Sequence, residues 1–266
     1  MTAPTLTKEA IHEAVKEQYG ALARTYPAGS EKAEACCGPT CCGDAAPKSA
    51  PTGDYTAQEL ASVPKGAFLG AGSGAPVGHA GLKPGEVVID LGSGAGMDTF
   101  LAANAVGASG RVHGFDLTPD MLNRARANAA AGAYTNVSFE QADIERLPIG
   151  DAQADAAISN CVINLAPDKA AVYREIYRAL RPGGRFSVAD IVMRGPAEAL
   201  RAFREGVHKG NWCGCVSGAL SQEEYLRAIG DAGFRDVRIV AERRAESQPG
   251  GELHAVAVTI TGRKPA

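Results

Sequence analysis

Three observations predict an α/β fold built on an open, doubly wound sheet. Short β-branched runs alternate with helical stretches through the middle of the 266-residue chain, the pattern of parallel strands joined by helical crossovers. The first run, Val87 to Leu91, feeds straight into a glycine turn, Gly92-Ser93-Gly94-Ala95-Gly96. The second, Arg111 to Phe115, ends on Asp116, about 20 residues beyond the glycines, where a Rossmann-like unit places the carboxylate that meets a ribose.

The remaining elements follow in order. Ile11, Val15, Tyr19 and Leu22 fall on one face of a helix over Thr7 to Leu22, expected to pack on the main domain, though a structural cap over a cofactor would look the same. From Tyr26 to about Pro51 the chain turns to Ala, Gly, Pro and Ser, an arm without periodicity that holds Cys36, Cys37, Cys41 and Cys42. Gly70 to Gly85 is a glycine-rich approach to the first strand. The glycine turn then opens a helix at about Met97, since glycine lets backbone bend tightly and approach a ligand. Thr118 and Pro119 stand as cap and first residue of a helix running to Ala131. Val137 to Glu140 is a third strand leading to Asp143, and Ala154 to Ile158 a fourth ending at Ser159-Asn160-Cys161. A helix over Ala170 to Leu180 is stopped by Arg181-Pro182-Gly183-Gly184, and Arg185 to Ile191 is the fifth strand. Helices follow over Pro196 to Lys209 and Ser221 to Ala232, the latter opened by a Ser221/Glu224 capping box. Phe234 to Val240 and His254 to Thr261 close the chain as a hairpin. The expected division is an N-terminal helix and cysteine-rich arm over 1–65, a core over 66–194, and a C-terminal lobe over 195–266 that completes the sheet.

Composition narrows the function. A hydrophobic fraction of 45%, a charged fraction of 21% and a net charge of −3 describe a globular chain without the basic footprint of a nucleic-acid or anionic-membrane partner. The polar N-terminus offers neither a signal core nor a bilayer span, so the expectation is a cytoplasmic monomer. Seven cysteines in a reducing compartment argue against a static disulfide framework. Soft-metal binding, redox work or burial remain.

In a doubly wound sheet ligands sit beyond the carboxyl ends of the strands. Those ends present Asp90 with its glycines, Asp116, and Asp143-Ile144-Glu145. The G-x-G-x-x-G spacing and the Walker lysine are both absent, which points to a nucleoside ligand without phosphate. The stretch resembles the S-adenosylmethionine site of class I methyltransferases. By that resemblance Asp90, Gly92, Ser93, Gly94, Gly96, Asp116, Leu117, Met121, Asp143, Ile144 and Asn160 contact the cofactor.

Cys161 sits at the fourth strand end, beside the expected reactive methyl; a core cysteine acting as a small hydrophobe would sit there equally well. Cys213 and Cys215 lie in an irregular stretch able to fold over the same mouth. Oxygen and nitrogen acceptors want a general base, yet none of the five His falls at a predicted strand end. A thiophilic acceptor with its own lone pair, such as trivalent arsenic, needs none and would be held by thiolates.

Four segments carry a more specific likeness: Cys36-Cys37-Gly38-Pro39; Leu82-Lys83-Pro84-Gly85-Glu86 leading to Asp90-Leu91-Gly92-Ser93-Gly94; Ser159-Asn160-Cys161-Val162-Ile163-Asn164-Leu165; and Gly214-Cys215-Val216-Ser217-Gly218-Ala219-Leu220. Together the chain, from about Val15 to about Val240, resembles the bacterial arsenite methyltransferases. The resemblance implies that Cys161 and Cys215 are the As(III) ligands and that Cys36 or Cys37 forms a disulfide with another cysteine during turnover. It also implies arsenite arriving as a thiol conjugate, with glutathione or thioredoxin as external reductant. One departure stands out. Where the family has Gly-Cys-Gly, this chain reads Gly70-Ala71-Gly72, leaving the N-terminal cysteines or external thiols to supply the electrons of the missing sulfur. Cys213 has no counterpart. The rival readings are a methyltransferase for a small organic acceptor and a soft-metal binding or sensing protein, and the pairing of Cys161 with Cys215 argues against both.

Overall fold

The structure, a computed structural model, describes residues 7–25, 54–207, 214–245 and 249–266. Its frame is a seven-stranded sheet made of β1 (Val87–Leu91), β2 (Arg111–Asp116), β3 (Val137–Gln141), β4 (Ala154–Asn160), β5 (Leu180–Arg194), β6 (Arg235–Arg244) and β7 (His254–Arg263). The strand order is β3-β2-β1-β4-β5-β7-β6. β1 to β5 run parallel, and β7 lies antiparallel to both β5 and β6. The helices are α1 (Lys8–Thr25), α2 (Ala57–Ala61), α3 (Pro76–His79), α4 (Met97–Val106), α5 (Pro119–Ala131), α6 (Lys169–Ala179), α7 (Ala197–Val207) and α8 (Gln222–Asp231). No helix among the described residues is long and apolar enough to cross a membrane.

Burial on both faces explains the continuous apolar strands. Successive side chains point to opposite faces. Ile89 and Leu91 accordingly join Val172, Tyr173, Ile176 and Tyr225 beneath α6 and α8, while Val88 joins Ala102, Val106 and Ile158 beneath α4. Register then sets the site. Leu91 lies opposite both Phe115 of β2 and Ser159 of β4, so the three strands end at one level. Gly92, Asp116 and Asn160 emerge side by side.

The structure corrects several boundaries. The Arg181-Pro182-Gly183-Gly184 stretch does not cap a helix from outside the sheet. It belongs to β5, because Leu180 already pairs with Ala154 and a register shift absorbs the irregularity before Ala156 meets Arg185. The preceding helix ends at Ala179 and is opened by Asp168, whose carboxylate accepts from the Ala171 N–H. The closing hairpin is longer than expected, since β7 pairs with β5 from Arg185–Arg263 through to Arg194–His254. Thr118 occupies the cap of α5 without a side-chain cap bond; its own N–H instead donates to Asp116 Oδ1 at 2.8 Å. The Ser221/Glu224 capping box forms as expected. The short helices α2 and α3, and a 3₁₀ turn over Lys65–Ala67, have no counterpart in the sequence reading, being too brief for periodicity to register.

One ion pair ties the approach loop to the sheet. Arg185 of β5 donates to Ala80 O and Gly81 O, both at 2.6 Å, and makes a two-pronged contact with Glu86 at 2.9 and 2.7 Å. Both side chains are nearly enclosed, at 14% and 12% exposure. Removing one partner of such a pair strands the other, typically at 3–5 kcal/mol. Arg185→Leu should therefore lower unfolding free energy by about 3 kcal/mol, read from urea denaturation, whereas loss of an exposed pair such as Arg227–Glu223 should cost under about 1 kcal/mol.

Candidate functional site

A cavity opens beyond the carboxyl ends of β1, β2 and β4. Its floor is the glycine turn. Gly92 takes φ +72°, and a Cβ there would lie 2.1 Å from Val162, so only glycine lets the turn pass beneath the segment after β4. Asp116 closes the next side. It is 8% exposed, and its oxygens accept from the Gly94 N–H at 2.9 Å and the Thr118 N–H at 2.8 Å. Burial raises its pKa against the pull of those bonds.

A network of buried acids forms the inner wall. Tyr55 donates to Asp98 Oδ2 at 2.7 Å, and Thr99 donates to Asp90 Oδ2 at 2.6 Å. Asn160 faces both ways. Its Oδ1 accepts from the Ser73 and Gly74 N–H groups at 2.8 and 3.3 Å, while its Nδ2 lies 2.7 Å from Gly74 O, 2.9 Å from Tyr55 Oη and 3.0 Å from Asp98 Oδ2. Burial pushes Asp98 up to about 6. Asp90 is raised higher still, by burial and then by the charge of Asp98. A cation entering beside them would relieve both effects.

The opposite wall comes from α1, whose His12, Val15 and Tyr19 line the cavity. The helix is moored at both ends. Lys8 contacts Asp143 at 2.9 Å and Glu145 at 2.6 Å, and Arg24 pairs with Asp120. Burial alone would lift Asp143, but Lys8 and the Glu145 N–H hold it below the usual carboxylate range.

The thiols lie at the edge of this space. Cys161 lines the cavity, is 7% exposed, and takes φ +58°, a conformation uncommon outside glycine. Its N–H donates to Ala189 O at 2.8 Å. Cys215, half-buried in the loop before α8, is joined to Cys161 by a disulfide with Cα atoms 6.1 Å apart. The sequence reading disfavours a static disulfide framework; here its two acceptor cysteines stand bonded to each other. Behind them the Asp190 carboxylate has an oxygen within 4.8 Å of both sulfurs. That carboxylate accepts from the Asn164 and Ile191 N–H groups and from Tyr225 Oη, and burial pushes it up to about 7.

Of the residues anticipated from sequence, Asp90, Gly92, Ser93, Gly94, Asp116, Leu117, Met121, Asp143, Ile144, Asn160 and Cys161 all line the cavity. Gly96 does not. It caps α4 at φ +100°, where a Cβ would strike the Phe100 ring at 2.5 Å. Ala71 lines the cavity, so the position of the missing cysteine does face the site. Cys36, Cys37, Cys41, Cys42 and Cys213 lie outside the described residues. Sequence reasoning missed Tyr55, Asp98 and His12; the α1 face with Val15 and Tyr19 reads as apolar, equally able to pack on the domain or to cap a cofactor. Asp98 carried a usable signal, an acid one residue into the helix that the glycine turn opens; Tyr55 carried none.

The donor set fits the expected cofactor. Ser93 Oγ and Asp98 Oδ1 are buried without a hydrogen-bond partner, and both residues line the cavity, whose lining among the described residues contains acids but neither Lys nor Arg. Such a lining suits a cationic ligand with hydroxyls and would repel a phosphate. S-adenosylmethionine has an ammonium, a sulfonium and a ribose.

A methyltransferase-domain family model matches residues 82–233. The arsenite methyltransferase of Halobacterium salinarum is 38% identical over 97% of this chain, and that of Aquipseudomonas alcaligenes 35% identical over 88%. The chain spans about two thirds of these relatives, 68% and 64% of their lengths. The crystal structure of an arsenic(III) S-adenosylmethionine methyltransferase from Chlamydomonas reinhardtii superposes with a TM-score of 0.65 at 35% identity, covering 79% of this chain and 72% of that one. With its class I sheet and relatives matched over nearly its whole length, this chain belongs to the arsenite methyltransferase family of S-adenosylmethionine-dependent enzymes.

Proposed function

We propose that the protein methylates trivalent arsenic held by the thiolates of Cys161 and Cys215. The observation that carries this is the meeting of the Cys215 sulfur, from a separate segment, with that of Cys161, which lines the cofactor cavity. In the reduced state they form a soft, bidentate ligand set next to the methyl donor. S-adenosylmethionine supplies an electrophilic methyl group when bound. The chain's own residues then do three things. Asp116 receives the ribose hydroxyls, Asp98 and Asp90 neutralise the cationic tail, and the two thiolates hold arsenic where its lone pair faces the cavity. No proton is removed from arsenic, whose own lone pair is the nucleophile. Arsenite arrives as a thiol conjugate, exchanging its small thiols for the two cysteines. Glutathione or thioredoxin restores the thiols between rounds.

Replacing Cys161 or Cys215 by Ser should abolish formation of methylated arsenic while leaving cofactor affinity intact, because a hydroxyl is a hard and poorly ionised ligand. Chromatographic speciation of arsenic decides this, and a Cys215→Ser enzyme working at the parent rate would exclude the assignment.

Asp116→Ala removes the acceptor of the ribose hydroxyls. Hydrogen bonds to charged groups are worth about 1.5–3 kcal/mol, so calorimetry should show cofactor affinity weakened by about tenfold or more. Cys161→Ser in the same experiment should match the parent.

The raised pKa of Asp98 fixes the sign of a pH effect. Below about 6 it holds a proton in the free protein, and that proton must leave for a cation to bind beside the carboxylate. Cofactor affinity should therefore rise as pH increases through about 6, with protons released on binding. Asp98→Asn should flatten this limb and lower affinity at neutral pH. Calorimetry in buffers of different ionisation enthalpy measures the proton count, and equal counts for parent and variant would remove Asp98 from the role.

A further inference from the structure

Building on the cofactor reading above, we infer that Tyr55 is a positioning residue for Asp98, holding one carboxylate oxygen so that the other stays bare for the ammonium of the cofactor's amino-acid tail. The two oxygens of Asp98 have unlike surroundings. Oδ2 accepts from the Tyr55 hydroxyl at 2.7 Å and lies 3.0 Å from Asn160 Nδ2. Oδ1 is buried without a hydrogen-bond partner, although Asp98 lines the cavity. A buried carboxylate oxygen left empty is unfavourable in a folded protein. It marks the place of a donor that arrives with the ligand.

The phenol is suited to holding the other oxygen. Tyr55 stands just before the cap of α2, is 7% exposed, and sets its ring edge-on to Phe68 with centroids 6.1 Å apart. Val63, Ala67 and Phe100 share its apolar cluster. Packing fixes the ring, and with it the place of the hydroxyl. Burial and then the charge of Asp98 raise the pKa of the phenol well above the ordinary tyrosine value, so the proton stays on Tyr55 and the bond stays donated. Asn160 is no substitute. Its amide has two hydrogens and three acceptors in reach, Gly74 O at 2.7 Å, Tyr55 Oη at 2.9 Å and Asp98 Oδ2 at 3.0 Å. The amide is shared; the hydroxyl is the undivided donor to Asp98.

The charges around Asp98 make that donor matter. Asp90 on β1 and Glu59 on α2 face it, both acids, and Asp116 bears in turn on Asp90. Against burial and these charges, the bonds from Tyr55 and Asn160 hold down the proton affinity of Asp98. Loss of the hydroxyl therefore moves Asp98 toward its protonated form, which no longer carries the charge that attracts an ammonium. It also frees the carboxylate to turn. A nucleoside without the amino-acid tail makes no use of Asp98 and should register neither change.

The test is calorimetry on the full chain and on Tyr55→Phe, which deletes one hydroxyl and keeps the ring. The probes are S-adenosylhomocysteine, which carries the tail, and methylthioadenosine, which has the same ribose and base without it. At about pH 6, close to where Asp98 titrates, the variant should bind S-adenosylhomocysteine about tenfold more weakly than the parent. At about pH 8 the loss should shrink to about twofold, because Asp98 is then largely ionised in both proteins. Affinity for methylthioadenosine should match the parent throughout, which also shows that the cavity has folded. In an Asp98→Asn background, Tyr55→Phe should weaken the tailed probe no further. Equal weakening of both probes would assign Tyr55 to the cavity as a whole and overturn the inference. Unchanged S-adenosylhomocysteine binding at about pH 6, or a loss that persists undiminished beside Asp98→Asn, would overturn it too. In each of those cases the parent binds its nucleoside and the cofactor reading stands. A parent chain that binds neither probe would instead sink that reading, and this inference with it.

Discussion

The side chain of Asn160 is the joint on which the site depends. It stands at the last residue of β4, level with the ends of β1 and β2, and one amide binds in both directions. Its oxygen fixes the backbone of Ser73 and Gly74, and its nitrogen reaches Tyr55 and Asp98. That arrangement tolerates no bulk, since a Cβ on Gly72 would lie 2.7 Å from the amide nitrogen. The next residue is Cys161, turned into the left-handed region and bonded to β5 through its N–H. The strand end therefore serves two ligands. Asn160 braces the wall around the cofactor, and the reversal just after it delivers a thiol to the acceptor side. Asn160 could not shift by one position along β4 without turning its side chain to the other face of the sheet.

Charge selection follows from burial. Asp90, Asp98 and Asp116 are each at most 8% exposed, and among the described residues neither Lys nor Arg lines the cavity. Keeping such acids inside the fold raises their proton affinity and costs stability unless something positive arrives. The free protein meets part of that cost with hydrogen bonds from Tyr55, Thr99, Gly94 and Thr118. A cationic nucleoside supplies the remainder, so the selectivity for sulfonium over phosphate lies in what the wall lacks.

Much of the fold was legible because it rests on local signals. The strand from Val87 to Leu91, the turn after it and the cap at Ser221 depend on neighbours in the chain, and the structure places them within a residue or so. The course of β5 was not legible. Pro182 and two glycines read as a stop, yet pairing with β4 and β7 carries the strand across them; that is tertiary pairing overriding local preference. The cavity shows the same division. Residues at strand ends could be assigned because topology fixes where those ends converge. Tyr55 reaches the cavity by long-range packing, which leaves no local pattern, and the apolar face of α1, legible as periodicity, carries no local sign of what it packs against. The sequence placed Cys161 and Cys215 at one mouth through resemblance; only three dimensions bring their sulfurs together.

The mooring of α1 has an energetic corollary. Lys8 and Arg24 hold the helix at its two ends by ion pairs whose cationic side chains are 43% and 61% exposed; the Arg24 contact is of the individually weak, solvent-screened kind, while Lys8 reaches a Glu145 carboxylate that is 8% exposed. Between them, His12, Val15 and Tyr19 offer the cavity their side chains. Whatever free energy an occupant gains from those three residues is, by reciprocity, the free energy with which it fastens the helix. Detachment of the N-terminal helix and escape of the nucleoside are then two readings of one coupled equilibrium, and salt, by screening the ends, would loosen a ligand it never touches.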